Sequence, residues 1–220
     1  MKAVMFDLDG TILDRNASLV NFVSWQARGM LRSQIQDRAL FVDRFIELDA
    51  NGSVWKDEVY KSLIDDFSIT GWSVDELLIS YELCFSGFCQ PKQGAIEAVN
   101  ILKNMGLKLA LISNGKSPFQ ERNFNSLGIS HLFDAVIISE AVGLRKPDRA
   151  IFELASEVLA VKPDRTVFVG DNPLADIKGS KDMGMYSIYI PGYYGDKCSD
   201  ADIVCNNFAE LPKIVVNADR

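Results

Sequence analysis

Two aspartates placed one residue apart near the N-terminus are the residues best suited to chemistry. Asp7 and Asp9 follow a short apolar run, Ala3 to Phe6, and Gly10 comes next. Such a run predicts a buried strand, and open α/β folds place reactive groups where their strands end. Two carboxylates at this spacing can divide a reaction, because one can attack as a nucleophile while the other transfers protons.

Further polar residues follow predicted strands in the second half of the chain. The carboxyl ends of parallel strands meet at one edge of a sheet. We therefore expect these residues to converge with the two aspartates. They are Ser113, Asn114, Lys146, Asp171 and Asp176.

The expected cluster carries more negative charge than one lysine can balance. Uncompensated like charges a few ångströms apart cost several kcal/mol at an effective dielectric constant of about 20. A hard divalent cation can compensate them, and all-oxygen ligands favour Mg²⁺, which usually keeps waters and a substrate phosphate in its coordination shell. Ser113, the backbone N–H groups near Asn114 and the side chain of Lys146 are then expected to hold that phosphate.

The elements that must position these residues alternate between strands and helices from Gln93 onward. Near-continuous apolar strands separated by amphipathic helices predict a parallel sheet covered on both faces. The fold class is therefore α/β, a doubly wound, Rossmann-like parallel sheet. We assign residues 1–14 and 92–220 to this catalytic core.

Residues 15–91 have a different pattern and are predicted to form an inserted α-helical cap. The segment has helical periodicity and no convincing strand, and Ser73 with Glu76 forms a capping box. Its three tryptophans are expected to lie in its own small core. Because two linkers, Leu13 to Asn16 and Cys89 to Gly94, would make a hinge, we expect the cap to act as a lid.

Composition limits the classes of partner. A net charge of −7 over 220 residues argues against general nucleic-acid binding, which normally needs a basic face. No apolar run approaches the ~20 residues of a membrane helix, and no signal peptide is apparent. The spacing of the four cysteines favours free thiols in a reducing cytoplasm over a zinc site. The sequence leaves the oligomeric state open.

Four segments, in order along the chain, resemble the haloacid dehalogenase-like hydrolase superfamily, whose members are mostly phosphatases. The insertion after the first strand resembles the helical cap of the phosphoglycolate phosphatase and β-phosphoglucomutase group. The segments are Asp7-Leu8-Asp9-Gly10-Thr11, Ser113-Asn114-Gly115, Lys146-Pro147, and Gly170-Asp171 with Asp176.

The resemblance implies a role for each matching residue. Asp7 would be the nucleophile and Asp9 the general acid and base, while Ser113 and Lys146 would bind the phosphoryl group. Magnesium would be held by Asp7, Asp171 and the backbone carbonyl of Asp9. Asp176 would either contact the metal or support the site without touching it. The expected activity is Mg²⁺-dependent hydrolysis of a small phosphorylated metabolite through an aspartyl-phosphate.

Other functions fit parts of the same pattern. A phosphomutase would share every core residue. A haloacid dehalogenase would use Asp7 but needs neither a leaving-group acid nor magnesium, so Asp9 and the acidic cluster would be redundant. A phosphonate-cleaving relative would need a cap lysine, for which Lys56 and Lys61 lie in the right segment. A phosphoacceptor without turnover is the most distant alternative.

Overall fold

The computed structural model describes residues 1–218 of the chain. A single parallel sheet of six strands organises it, with strand order 3-2-1-4-5-6. This confirms the predicted open α/β fold. The strands are β1 (Ala3–Phe6), β2 (Lys108–Ser113), β3 (Ala135–Ile138), β4 (Thr166–Gly170), β5 (Tyr186–Tyr189) and β6 (Ile203–Val204).

Helices fill most of the remaining chain. Four lie between β1 and β2 before the first core helix, and the others connect or follow the strands. They are α1 (Arg15–Arg28), α2 (Arg38–Asp49), α3 (Lys56–Asp66), α4 (Val74–Cys84), α5 (Ala95–Asn104), α6 (Phe119–Ser126), α7 (Ser139–Val142), α8 (Arg149–Leu159), α9 (Gly179–Asp182) and α10 (Leu211–Asn217).

The two central strands, β1 and β4, are buried along their whole length. Their side chains point alternately to the two faces of the sheet, so full burial requires both faces to be covered. On one face Phe152 of α8 packs its ring against Phe168 of β4, with 5.3 Å between the ring centroids. This rigid centre fixes the positions of the residues that follow both strands.

The order of the strands creates a crevice at the middle of the sheet. From β1 the chain moves outward to β2 and β3, then returns to place β4 on the other side of β1. The connections that follow β1 and β4 lead to opposite sides of the sheet and leave a crevice between them. Ligands bind at such a crevice in open α/β sheets. Asp7 directly follows β1 and Asp171 directly follows β4.

The chain divides into two compact units. One contains Met1–Asp14 together with the chain from Pro91 onward, and the other is Arg15–Gln90. The predicted core ran to residue 220, and its last two residues lie outside the described part of the chain. No helix within residues 1–218 is long and apolar enough to cross a membrane. The action of the helical unit as a cap stays a prediction.

Within the helical unit, the predicted capping box begins α4. The Ser73 hydroxyl accepts a hydrogen bond from the Glu76 backbone N–H at 3.2 Å, and the Glu76 carboxylate accepts one from the Ser73 backbone N–H at 2.8 Å. The expected tryptophan core is wrong for Trp55, which is 66% exposed. Trp25 is 38% exposed but contacts the rings of Phe22 and Phe88, and Trp72 is half-buried. Trp55 directly precedes the first turn of α3. The buried aromatic residues are instead Phe22, Phe41, Phe45, Phe85, Tyr60 and Tyr81.

A charged cluster also stabilises this unit. The buried carboxylate of Asp49 accepts two hydrogen bonds from the Arg15 guanidinium, at 2.7 and 3.0 Å, and is paired with Lys56. Burial would raise the pKa of Asp49, but hydrogen bonds and charge from Arg15 and Lys56 lower it below its ordinary value. Asp49 is therefore ionised and compensates two cations at once.

We predict that Asp49→Ala lowers the free energy of unfolding of the helical unit by about 3 kcal/mol, because it leaves half-buried cations without their carboxylate. Urea unfolding followed by circular dichroism measures this. The matched control is Asp66→Ala, which removes an exposed partner of Arg44 and should cost less than about 1 kcal/mol. Equal losses in both variants would contradict the assigned importance of the buried pair.

Candidate active site

A buried lysine forms the centre of the crevice between β1 and β4. Lys146 is 2% exposed. Its ammonium nitrogen lies 2.7 Å from Asp7 Oδ1 and 2.7 Å from Asp176 Oδ1. The same nitrogen is 5.4 Å from the centre of the Phe168 ring, within the range of a cation–π interaction. One lysine thus joins residues that are far apart in the sequence.

The side chain of Asn114 fixes the backbone of Lys146. Asn114 follows β2, its Oδ1 accepts from the Lys146 backbone N–H at 2.9 Å, and its amide donates to the Lys146 carbonyl at 2.8 Å. Both ends of the amide are therefore engaged. If Asn114 contacts phosphate as predicted, the backbone N–H and not the side-chain amide would donate the hydrogen bond. Ser113 ends β2 and is buried, at the same edge of the sheet.

Asp176 is placed by an irregular helical turn. Pro173–Lys178 forms a π-helical turn, wider than an α-helix, directly before α9. Asp176 accepts a hydrogen bond from the Asn172 backbone N–H at 3.0 Å with one oxygen and pairs with Lys146 through the other. These partners favour the interpretation in which Asp176 supports the site.

Three carboxylates nevertheless form a group that could hold a metal ion. Asp7, Asp171 and Asp176 each offer an oxygen, and these oxygens lie within 4.8 Å of one another. Three ionised carboxylates would exceed the charge of the two neighbouring lysines, Lys146 and the half-buried Lys92. The donor set, all oxygen and excessively negative, therefore fits a hard divalent cation.

The pKa values of the cluster reflect burial together with the neighbouring charges. Burial raises the pKa of Asp7 to about 7, against the lowering effect of Lys146. Burial, with the charges of Asp7 and Asp176, raises the pKa of Asp171 to about 8. Burial alone would lower the pKa of Lys146, but the carboxylates of Asp176 and Asp7 raise it. Without an added cation, the cluster thus disfavours full ionisation near neutral pH.

Gly10 allows the loop after β1 to approach Asp171. Its φ angle is +80°, in the left-handed region that favours glycine, and a Cβ atom at this position would collide with the Asp171 carboxylate. The glycine in the first motif is thus required by the geometry of the acidic group.

Asp9 has a partner that the sequence did not indicate. Its Oδ2 accepts a hydrogen bond from the amide of Gln120, which lies in the first turn of α6. Lys92 was also missed. Its ammonium group donates to the Pro191 carbonyl at 3.2 Å, and burial lowers its pKa against the opposing charges of Asp171 and Asp14. Neither Gln120 nor Lys92 belongs to a recognisable motif. Their place near the site is apparent only from their contacts in the fold.

The comparisons with known proteins identify the family. Residues 4–190 match the model of the family described as haloacid dehalogenase-like hydrolase. The chain belongs to this family. The predicted membership is confirmed, and relatives named glyceraldehyde 3-phosphate phosphatase and phosphoserine phosphatase also confirm the prediction of a phosphatase enzyme.

Individual relatives cover the full length of the chain. A glyceraldehyde 3-phosphate phosphatase from Methanocaldococcus jannaschii is 32% identical over 100% of this chain and 99% of its own. The crystal structure of a HAD phosphatase from Thermococcus onnurineus superimposes with a TM-score of 0.68, at 27% identity and 98% coverage of both chains.

The fold by itself does not separate the family's reactions. The L-2-haloacid dehalogenase from Xanthobacter autotrophicus, 18% identical, superimposes with a TM-score of 0.70 and 98% coverage of both chains. A dehalogenase and a phosphatase thus share this architecture about equally. The choice between the two reactions depends on the side chains at the site.

We predict that removing metal with EDTA makes the stability of the core pH-dependent. Because the pKa of Asp171 is 3.8 ordinarily and about 8 in the fold, the folded state binds more protons than the unfolded state across this interval. The free energy of unfolding should therefore fall as pH rises from about 5 to about 8. Thermal unfolding at several pH values measures the trend.

Asp171→Asn should weaken this dependence and leave the part that comes from the raised pKa of Asp7, whereas Asp164→Asn, at an exposed position, should leave it unchanged. Addition of Mg²⁺ to the wild-type protein should raise its melting temperature more at pH 8 than at pH 5, because ionised carboxylates bind the cation. A wild-type profile as flat as that of Asp171→Asn would contradict the prediction.

Proposed function

We propose that this protein is an Mg²⁺-dependent phosphatase that hydrolyses a small phosphorylated metabolite through an aspartyl-phosphate intermediate on Asp7. The observation that carries the proposal is the buried ion pair of Lys146 with Asp7 inside a group of three carboxylates. A nucleophilic carboxylate, a cation for phosphoryl oxygens and a site for a divalent metal are thereby supplied within a few ångströms.

In the first half-reaction, an oxygen of Asp7 attacks phosphorus in line with the leaving group. The new bond joins Asp7 to phosphorus, and the bond from phosphorus to the ester oxygen breaks. Asp9 gives its proton to that oxygen, which leaves as an alcohol. Lys146, Ser113 and backbone N–H groups near Asn114 stabilise the negative charge on the phosphoryl oxygens.

In the second half-reaction, water releases phosphate and regenerates the enzyme. Asp9, now ionised, removes a proton from the water while the water oxygen attacks phosphorus. The bond between phosphorus and Asp7 breaks, and Asp9 is again protonated. Asp9 therefore acts in both steps. A dehalogenase acting on carbon would not need it as a leaving-group acid.

The residues that would hold Mg²⁺ are Asp7, Asp171 and the backbone carbonyl of Asp9. Asp176 would support them through Lys146 and the Asn172 backbone, or contact the metal directly. When bound, the metal would neutralise negative charge on the carboxylates and on the phosphoryl oxygens. It would also favour the ionised form of Asp7 at neutral pH, against the burial that raises the pKa of this carboxyl group.

The full-length relative named glyceraldehyde 3-phosphate phosphatase supports a small phosphorylated metabolite as substrate. A suitable test is a magnesium-supplemented panel of triose phosphates, phosphoglycolate, phosphoserine, sugar phosphates and nucleoside monophosphates, ranked by kcat/KM from released inorganic phosphate. We expect the smallest compounds, with the triose phosphates among them, to rank above the nucleoside monophosphates. Isomerised phosphorylated product without free phosphate would instead indicate a mutase.

We predict that Asp7→Asn lowers kcat at least about a thousandfold, because the amide cannot form the aspartyl-phosphate. Its fold should survive, since the substitution conserves shape and removes one excess negative charge. Phosphate release and thermal unfolding measure the two effects. Asp164→Asn, an exposed aspartate at the opposite end of β4, should retain wild-type turnover.

A second readout identifies the nucleophile directly. Acid quenching during turnover should leave a phosphoryl group on a peptide that contains Asp7, detected by mass spectrometry. Near-normal phosphatase activity in Asp7→Asn, or a phosphoryl group trapped on a different residue, would exclude this mechanism.

A further inference from the structure

The side chain of Gln120 is held so that its amide N–H must face Asp9. A carboxylate accepts hydrogen bonds and donates none when ionised, so the Gln120 amide nitrogen is the end that can bind Asp9 Oδ2. The opposite end, Gln120 Oε1, accepts from the amide of Asn123 at 3.4 Å. Both ends of the amide therefore have a hydrogen-bond partner.

Gln120 is too buried to serve as a substrate contact. It is 5% exposed, and Asn123 beneath it is 1% exposed. Asp9, by contrast, is partly exposed and can reach a bound molecule. The position therefore suits a residue that acts through Asp9 rather than one that touches the substrate itself.

The close approach of Gln120 depends on Gly115. A Cβ atom at residue 115 would collide with the Gln120 side chain. The Gln120 backbone N–H also donates to the Lys116 carbonyl at 3.0 Å. The start of α6 is thus packed directly on the segment after β2, and Asp9 is tied to the same rigid element as the proposed phosphate site.

We propose that Gln120 is a positioning residue for Asp9 in both proton transfers, an inference that rests on the proposed phosphatase mechanism. Because Gln120 binds Oδ2, the transferred proton is carried by Oδ1. The hydrogen bond persists through the cycle, since the carbonyl oxygen of a protonated carboxyl group still accepts from an amide. Asp9 therefore donates to the leaving oxygen and later accepts from water without losing its orientation.

The test compares two substrates that differ in their need for an acid. p-Nitrophenyl phosphate releases a stable anion, whereas an alkyl phosphate releases an alkoxide unless it is protonated. The alkyl probe is the compound with the highest kcat/KM in the substrate panel. The parameter compared is kcat/KM, which reports the steps through departure of the leaving group.

Gln120→Met keeps the length of the side chain but removes the amide donor. It should lower kcat/KM for the alkyl phosphate about tenfold to a hundredfold, with less than about a threefold loss for p-nitrophenyl phosphate. Gln120→Glu, which presents an acceptor to the Asp9 carboxylate, should show the same selectivity. The second variant keeps the test decisive if the first does not fold.

Phe124→Leu is the structural control on the same helix. Its buried ring packs on Phe133, 4.8 Å between centroids, so the variant should reduce stability and leave the ratio of the two kcat/KM values unchanged. Equal losses on both substrates, or no loss, in the Gln120 variants would overturn the inference. Failure of the wild-type protein to hydrolyse either probe would instead overturn the proposed function.

Discussion

The arrangement at the crevice depends on the burial of one lysine among several carboxylates. Lys146 contacts Asp7 and Asp176 at equal distances, while Asp171 completes the acidic group. A buried ammonium group needs such partners, and buried carboxylates need such a cation, because neither charge is well solvated there. The same charged cluster therefore holds three parts of the chain together: the loop after β1, the loop after β4 and the segment before α8.

The charge compensation that this cluster needs is only partly supplied by the protein itself. Burial first, and the neighbouring carboxylates second, raise the pKa values of Asp7 and Asp171, so full ionisation would leave excess negative charge in a poorly solvated site. A folded site that tolerates this excess is suited to a cation and to an anionic substrate that binds with it. The proposed phosphatase mechanism uses that suitability, since phosphoryl transfer depends mainly on positioning and on charge stabilisation.

The neighbouring side chains support the site in separate ways. Asn114 holds the backbone of Lys146, and Asn172 both begins the π-helical turn and donates its backbone N–H to Asp176. Gln120 holds Asp9 from α6. The dehalogenase with the same architecture shows that the fold permits more than one reaction. The choice of reaction therefore depends on the side chains at the site, and in the proposed mechanism Asp9 is the residue that distinguishes phosphoryl transfer from dehalogenation.

The sequence alone determined the open α/β sheet, because its buried strands are continuous apolar runs, and it located Asp7, Lys146, Asp171 and Asp176 at one edge. Location of the protein in the cytoplasm stays a prediction from its cysteines. Only the tertiary structure decided which atoms meet: the amide of Asn114 binds backbone, Asp176 lies in a π-helical turn, and Trp55 is exposed. The contacts of Gln120 and Lys92 at the site were also apparent only from the tertiary structure. Periodicity encodes which face of an element is buried, whereas these pairings arise between residues far apart in the chain, and no local pattern records them.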